Sequence, residues 1–167
     1  TGEYSRALIT CVDRVVAVDA DHLAIEHLYR ALKADDNSTI LPLVGDLADP
    51  SPGLGWRNLE RQTLDDRSRP DLILALALVH HLAIARNVPL PDLVAWLASF
   101  HADVVVEFVA PEDAMVQRLR RNRDTLDVGY TQQRFEAGLS EHFVIAKQER
   151  LRSGTRTMYY ARPKQAG

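Results

Sequence analysis

Arg14-Val15-Val16-Ala17-Val18-Asp19 is the stretch whose reading decides the fold class. It is short, nearly all apolar and rich in valine, the pattern of a strand buried on both faces of a parallel sheet. It closes on an aspartate. From Asp21 onward the period changes, and Ile25, Leu28, Tyr29 and Leu32 recur at the i, i+3, i+4, i+7 spacing of one helix face. Asp21 stands where a carboxylate caps the free amides of a first helical turn.

The same alternation continues downstream. Ile40-Leu41-Pro42-Leu43-Val44 reads as a second strand stopped by Gly45-Asp46, and Pro42, lacking an N–H, favours a sheet edge. Residues 47–70 hold Pro50, Pro52, Gly53, Gly55 and Pro70 among many charges, so they form a long connection with a helical turn or two around Trp56 to Leu64. Asp71 to Leu78 is a further apolar strand, running into Val79-His80-His81-Leu82. Pro91 and Asp92 open a helix with the stripe Leu93, Trp96, Leu97 and Phe100. Asp103 to Val109 is the next strand, Pro111-Glu112-Asp113 starts a helix, and Thr131 starts another that carries Phe135 and Leu139. Phe143 to Leu151 and Thr155 to Arg162 flank Ser153-Gly154 as a hairpin.

Strands alternating with helices before a final hairpin predict an α/β, Rossmann-like chain. Its sheet is expected to be mostly parallel, with helices on both faces and one reversed strand at or next to an edge. At 167 residues and 46% hydrophobic content, residues 1–167 are read as a single domain. The net charge of -3, from 20 basic and 23 acidic residues, gives no general attraction to nucleic acid or an anionic membrane. The one cysteine, Cys11, excludes an internal disulfide framework and a multi-cysteine zinc site, which fits a reducing cytoplasm. No apolar run approaches the roughly 20 residues of a membrane span, and the first residues lack the layout of a signal peptide. A soluble, cytoplasmic protein is expected.

Ligands of open α/β sheets bind at the carboxyl ends of the strands. Asp19 closes the first visible strand, Asp46 follows the second, and Thr1-Gly2 opens the first helix. A carboxylate after such a strand is placed to take both hydroxyls of an adenosine ribose, although an aspartate there is, taken singly, more often a cap or turn residue.

The whole chain resembles class I S-adenosylmethionine (SAM)-dependent methyltransferases. Thr1-Gly2-Glu3-Tyr4-Ser5-Arg6 looks like the end of their first, glycine-bearing motif. Val15 to Asp19 is similar to their second strand, Gly45-Asp46-Leu47 to their adenine-edge motif, and Asp71 to Leu82 to their fourth strand and the helix after it. The stretch from Pro50 through Trp56 to His81 is also similar to a bacterial subgroup that includes nodulation-protein-like methyltransferases. The resemblance implies SAM as cofactor, with Thr1, Gly2, Asp19, Ala20, Asp46, Leu47 and Leu76 around it. It also implies a first strand and earlier glycines upstream, so the chain is expected to be incomplete at its amino end. That first strand would belong between the strands ending at Asp19 and Ala77.

Methyl transfer asks little of a protein, because the sulfonium carbon is already activated and holding a nucleophile in line suffices. His80 and His81, after the fourth strand, are the candidates for a general base, with the start of a helix as their plainer reading. Glu107, a charge inside Val104 to Phe108, either faces the substrate or pairs with a basic group. No metal is implied by the resemblance: methyltransferases that bind one here surround the histidine with carboxylates, whereas this chain has Ala77 and His80 at the matching places. Trp56, Arg57 and Arg61 are placed to form a lid or admit substrate, against simple packing of Trp56. Arg118-Leu119-Arg120-Arg121-Asn122-Arg123 reads as the solvated end of a helix, without interleaved aromatics for RNA stacking. The expected reaction is methyl transfer to an O or N nucleophile of an unidentified acceptor, with a small molecule favoured over RNA or protein. A nucleotide-dependent oxidoreductase on a related fold and a non-catalytic binding module are the competing readings.

Overall fold

In a computed structural model that describes residues 2–121 and 129–164, the chain divides into two units, Thr1–Thr63 and Leu64–Gly167. Thr1, Asn122 and Arg123 lie outside the described residues.

In the first unit, helix α1 (Glu3–Leu8) precedes strand β1 (Val15–Asp19), helix α2 (His22–Ala34) and strand β2 (Ile40–Val44). The Asp21 carboxylate caps α2 as its position implies, accepting from the Leu23 amide at 2.8 Å and the Ala24 amide at 3.3 Å. Strands β1 and β2 pair in parallel, from Val15 opposite Ile40 to Asp19 opposite Val44. Alternation sends Val15, Ala17 and Ile40 to one face, where they cluster with Leu28, Leu32 and Ile9. Two expectations are corrected here. Strand β1 is not buried on both faces: Val16 and Leu41, on the opposite face, are each 51% exposed, because the apolar cluster of this unit gathers on the Ile40 face. Tyr29 is off the buried stripe of α2, which consists of Ile25, Leu28 and Leu32. Pro42 sits opposite Ala17 in a two-stranded sheet, where every strand is an edge.

In the second unit, helix α3 (Leu64–Arg67) leads to strand β3 (Leu72–Ala75), a π-helical turn (His81–Ala85), helix α4 (Leu90–Ser99) and strand β4 (Asp103–Val109). Helix α5 (Ala114–Arg120), helix α6 (Gln132–His142) and the hairpin of β5 (Phe143–Arg150) with β6 (Arg156–Pro163) complete it. The sheet order is β3-β4-β6-β5, with β3 parallel to β4 and β6 antiparallel to both its neighbours. One reversed strand therefore lies next to the edge strand, as the terminal hairpin predicts. The strands fall in two sheets, one in each unit.

Val104, Val106 and Phe108 face the same side as their β6 partners Ala161, Tyr159 and Thr157, and all six are buried. Phe135 and Leu139 of α6 close over them. Phe108 stacks on Tyr130 at 5.0 Å and on Phe135 at 5.2 Å, with Tyr159 edge-on to Phe135 at 5.5 Å. The Tyr130 hydroxyl donates to the Val109 carbonyl at 2.7 Å, which satisfies its polar end. Leu93, Val94 and Leu97 form the buried stripe of α4, while half-buried Trp96 packs against Phe100 and donates to Asp65 at 3.0 Å. Arg118 and Arg120 lie in the last turn of α5, where cations complement the helix dipole. Among the described residues no helix is long and apolar enough to cross a membrane.

The aromatic stack and the open side of α2 make opposite predictions. Phe135→Ala, which empties the centre of the stack, should cost about 3–5 kcal/mol in urea unfolding. Tyr29→Ala should change stability by less than about 0.5 kcal/mol, since it removes a side chain that the core does not use.

Candidate functional site

Strand ends place the sequence-marked residues of the first unit. Asp19 is the last residue of β1 and is exposed. The Gly45 amide donates to its carbonyl at 3.0 Å, so the carboxyl ends of β1 and β2 stay tied beyond the last paired residues. Asp46 and Leu47 follow on β2 and are half-buried, and the Asp46 carboxylate accepts from the Ala48 amide at 3.0 Å to form a turn. The structure thus brings Asp19, Ala20, Asp46 and Leu47 to one end of one two-stranded sheet. The Asp19 carboxylate accepts from the Asp21 amide at 2.9 Å. A carboxylate offers about four acceptor sites, so it retains capacity for a diol. This donor and acceptor chemistry fits an adenosine group. Gly2 has a simpler account as well: at φ 77 it precedes α1, and a Cβ there would stand 2.4 Å from Leu28 Cδ1.

The long connection is a small built turn rather than a loose strap. Leu54 and Arg61 pair in an antiparallel bridge, and the Glu60 side chain folds beneath Gly55, its carboxylate accepting from the Trp56 amide at 3.2 Å. Gly55 has φ 83, and a Cβ there would meet Glu60 Cδ at 2.2 Å, so only glycine fits. The turn presents Trp56 80% exposed, with Leu59, Arg57 and Arg61 also exposed. Packing of Trp56 onto the unit, the plainer reading, is thereby overturned.

In the second unit the chain leaves β3 at Ala75, earlier than the apolar run predicts, because Ala77 turns into the left-handed region at φ 51. That conformation costs a residue with a Cβ roughly 1–2 kcal/mol. Glu107 Oε2 accepts from the Ala77 amide at 2.7 Å, and a hydrogen bond to a charged group contributes about 1.5–3 kcal/mol, enough to hold the turn. Glu107 is only 5% exposed, and its other oxygen pairs with Arg156 Nη1 at 3.3 Å. A basic partner is thus present for the charge inside the apolar strand. Arg156 Nε in turn pairs with Asp113 Oδ2 at 3.2 Å, and the same oxygen accepts from the Thr155 hydroxyl at 2.7 Å. Asp113 Oδ1 caps α5 through the Met115 amide at 2.9 Å. The Thr155 hydroxyl bond, with the Met115 amide and Arg156, holds the Asp113 carboxyl below its ordinary pKa.

The two histidines part company. Leu76 lies in the turn after β3, and His80 and His81 follow at the start of the π-helical turn, their rings 4.3 Å apart. His80 is 1% exposed, and its buried Nδ1 has no hydrogen-bond partner among the described residues. Burial, then the neighbouring His81 and Arg156, push its pKa down to about 4. His81 is exposed. Sequence reasoning passed over Arg156, Thr155 and Ala77, and it saw in Asp113 only a helix start. Nothing local marks an arginine that begins a terminal strand or an alanine with positive φ, because both acquire meaning only through Glu107.

No protein-family model matches the chain. It is 35% identical over 161 residues to the nodulation protein NoeA of Rhizobium meliloti (strain 1021), a match covering 95% of this chain and 33% of that protein. The chain therefore spans about a third of the length of this curated relative, in line with the resemblance to the nodulation-protein-like group. The PH0226 protein of Pyrococcus horikoshii OT3 has a similar structure, with a TM-score of 0.64 at 13% identity over 98% of this chain and 77% of that one. A SAM-dependent methyltransferase from Aquifex aeolicus superposes with a TM-score of 0.59 at 15% identity, covering 96% of this chain and 76% of that one. At such identities the likeness establishes the fold.

Burial of a neutral His80 makes stability depend on pH in a stated direction. Below about pH 6.5 the unfolded chain takes up a proton that folded His80 refuses until about pH 4. Stability should be intact above that window and fall through it as pH drops, by at most about 1.4 kcal/mol per pH unit. Urea unfolding of the wild type and of His80→Asn at several pH values checks this. The variant should lose about one proton of pH dependence, and equal slopes in the two proteins would refute it.

Proposed function

We propose, for a chain that has the fold of SAM-dependent methyltransferases, that it binds SAM and transfers the methyl group to an O or N nucleophile of a small acceptor molecule. The observation that carries this reading is the pair Asp19 and Asp46 at the carboxyl ends of adjacent parallel strands, joined by the bond from the Gly45 amide to the Asp19 carbonyl. Asp19 would take the ribose hydroxyls, and Asp46 with Leu47 the adenine edge. Ala20, beside Asp19, and Gly2, ahead of α1, join this set, and Leu76 is carried to it by the family resemblance alone. When bound, SAM supplies an activated methyl group on a sulfonium.

This chain's own residues then have to orient the nucleophile and accept its proton. His81 is the member of the pair that solvent reaches, so we assign it the proton, while His80 with a pKa of about 4 is a weak base at neutral pH. Exposed Trp56, with Arg57 and Arg61, serves in this reading as a lid segment. A small acceptor is favoured over RNA because the net charge is -3 and the basic run of α5 sits at a helix end without interleaved aromatics.

Calorimetry on the full-length protein should show binding of SAM and S-adenosylhomocysteine and none of NAD; NAD binding without SAM binding would instead support the oxidoreductase. Asp19→Ala should weaken S-adenosylhomocysteine binding by roughly ten- to a hundredfold, as the loss of a charge-assisted hydrogen bond implies, and Asp46→Ala by less. Unchanged affinity in a folded Asp19 variant would remove the ribose assignment.

Turnover is tested by incubating labelled SAM with the protein and cell extract and locating the label. His81→Gln should then lower methyl transfer by about 10²–10⁴-fold with SAM affinity nearly intact. Cofactor binding with no label transferred from any extract would favour a non-catalytic module.

A further inference from the structure

We infer that Arg156 is a positioning residue for the proposed proton acceptor His81: it pins the Glu107 carboxylate and so holds the left-handed turn at Ala77, from which the chain runs into His80 and His81. The inference rests on the methyl-transfer reading and adds to it a residue on the last strand, outside every motif in the sequence.

The geometry is a clamp with two jaws. Glu107 has one oxygen on the Ala77 amide at 2.7 Å and the other on Arg156 Nη1 at 3.3 Å, so cation and turn sit on opposite oxygens of one carboxylate. Arg156 is anchored behind by Asp113 Oδ2 at 3.2 Å, and Asp113 is itself fixed by the Thr155 hydroxyl at 2.7 Å and the Met115 amide at 2.9 Å. The start of α5, the start of β6, the middle of β4 and the end of β3 are thereby joined through three charged side chains.

Stability alone does not account for this arrangement. A buried ion pair is commonly replaced by apolar residues without loss of stability, so keeping one within a strand of valines and phenylalanine calls for another reason. A glycine at position 77 would accept φ 51 without strain, yet the residue there is alanine, held by a charge. Strain kept in place by a satisfied network marks a turn whose shape is enforced. That turn stands at the carboxyl end of β3, three residues before His80, whose buried Nδ1 has no partner among the described residues.

The test uses the full-length protein and two readouts, one of which needs no ligand. Arg156→Met and Glu107→Gln are prepared alone and combined with Ala77→Gly, with Arg156→Lys as the conservative variant and Glu107→Gln as the fallback if Arg156→Met does not fold. Hydrogen exchange at the Ala77 amide, without ligand, should quicken by about tenfold or more in Arg156→Met and Glu107→Gln, beyond any change in global stability. Methyl transfer from labelled SAM in cell extract should fall by about tenfold, the loss expected when one charge-assisted contact no longer sets the geometry of the turn that carries the base. Ala77→Gly should restore it to within about threefold, because glycine holds the turn without help. Arg156→Lys should fall between wild type and Arg156→Met. A purely structural ion pair would lower the melting temperature with no rescue by glycine, and that result overturns the proposal. So does an unchanged Ala77 exchange rate, or an unchanged rate of methyl transfer, in a folded Arg156→Met protein. A wild-type protein that transfers no label overturns the methyl-transfer reading instead, and the exchange rates then decide separately whether the clamp holds the turn.

Discussion

The Glu107 carboxylate, 5% exposed within a strand of valines and phenylalanine, is the constraint around which the second unit is organised. An unpaired charge at that depth would be neutralised or would drive the strand apart. It remains because two groups from distant parts of the chain converge on it, the Ala77 amide and the Arg156 guanidinium. The register of the closing hairpin follows from the same requirement. With Val109 opposite Arg156 and Glu107 opposite Met158, the arginine starts β6 one pleat beyond the carboxylate and reaches back to it along the same face. The aromatic stack of Phe108, Tyr130, Phe135 and Tyr159 fills the other face, so apolar packing and charge satisfaction act on alternate residues of one strand.

That division explains why two neighbouring histidines differ so much. The π-helical turn begins just past the strained alanine, and it carries His80 inward and His81 outward. Burial beside Arg156 keeps His80 neutral, a state that suits packing and unsuits it for taking a proton at neutral pH. Exposure leaves His81 open to solvent. Adjacent residues of the same type thus reach opposite chemistry through the direction in which one turn of helix points them.

In the first unit the organising contact is smaller. One bond from the Gly45 amide to the Asp19 carbonyl extends the pairing of β1 and β2 past their last partners. It keeps two acidic residues at one end of the sheet. The turn from Leu54 to Arg61 spends its internal hydrogen bonds on presenting Trp56 to solvent, the reverse of what an apolar side chain does when only packing matters.

The sequence by itself determined the order of elements and their type. Hydrophobic period, capping by Asp21 and Thr131 and the hairpin turn at Ser153-Gly154 act within a few residues, so they are legible in a linear chain. It also marked Asp19, Asp46 and the two histidines, since a polar residue directly after an apolar strand stands out locally. Only the tertiary structure decided that Val16 and Tyr29 are exposed, that Trp56 projects, and that His80 is sealed from solvent while His81 is not. Only tertiary structure, too, gave Glu107 its partners, 30 residues away at Ala77 and 49 residues away at Arg156. Burial and charge pairing depend on which distant segments fold against a residue, and no periodicity in its own neighbourhood records them.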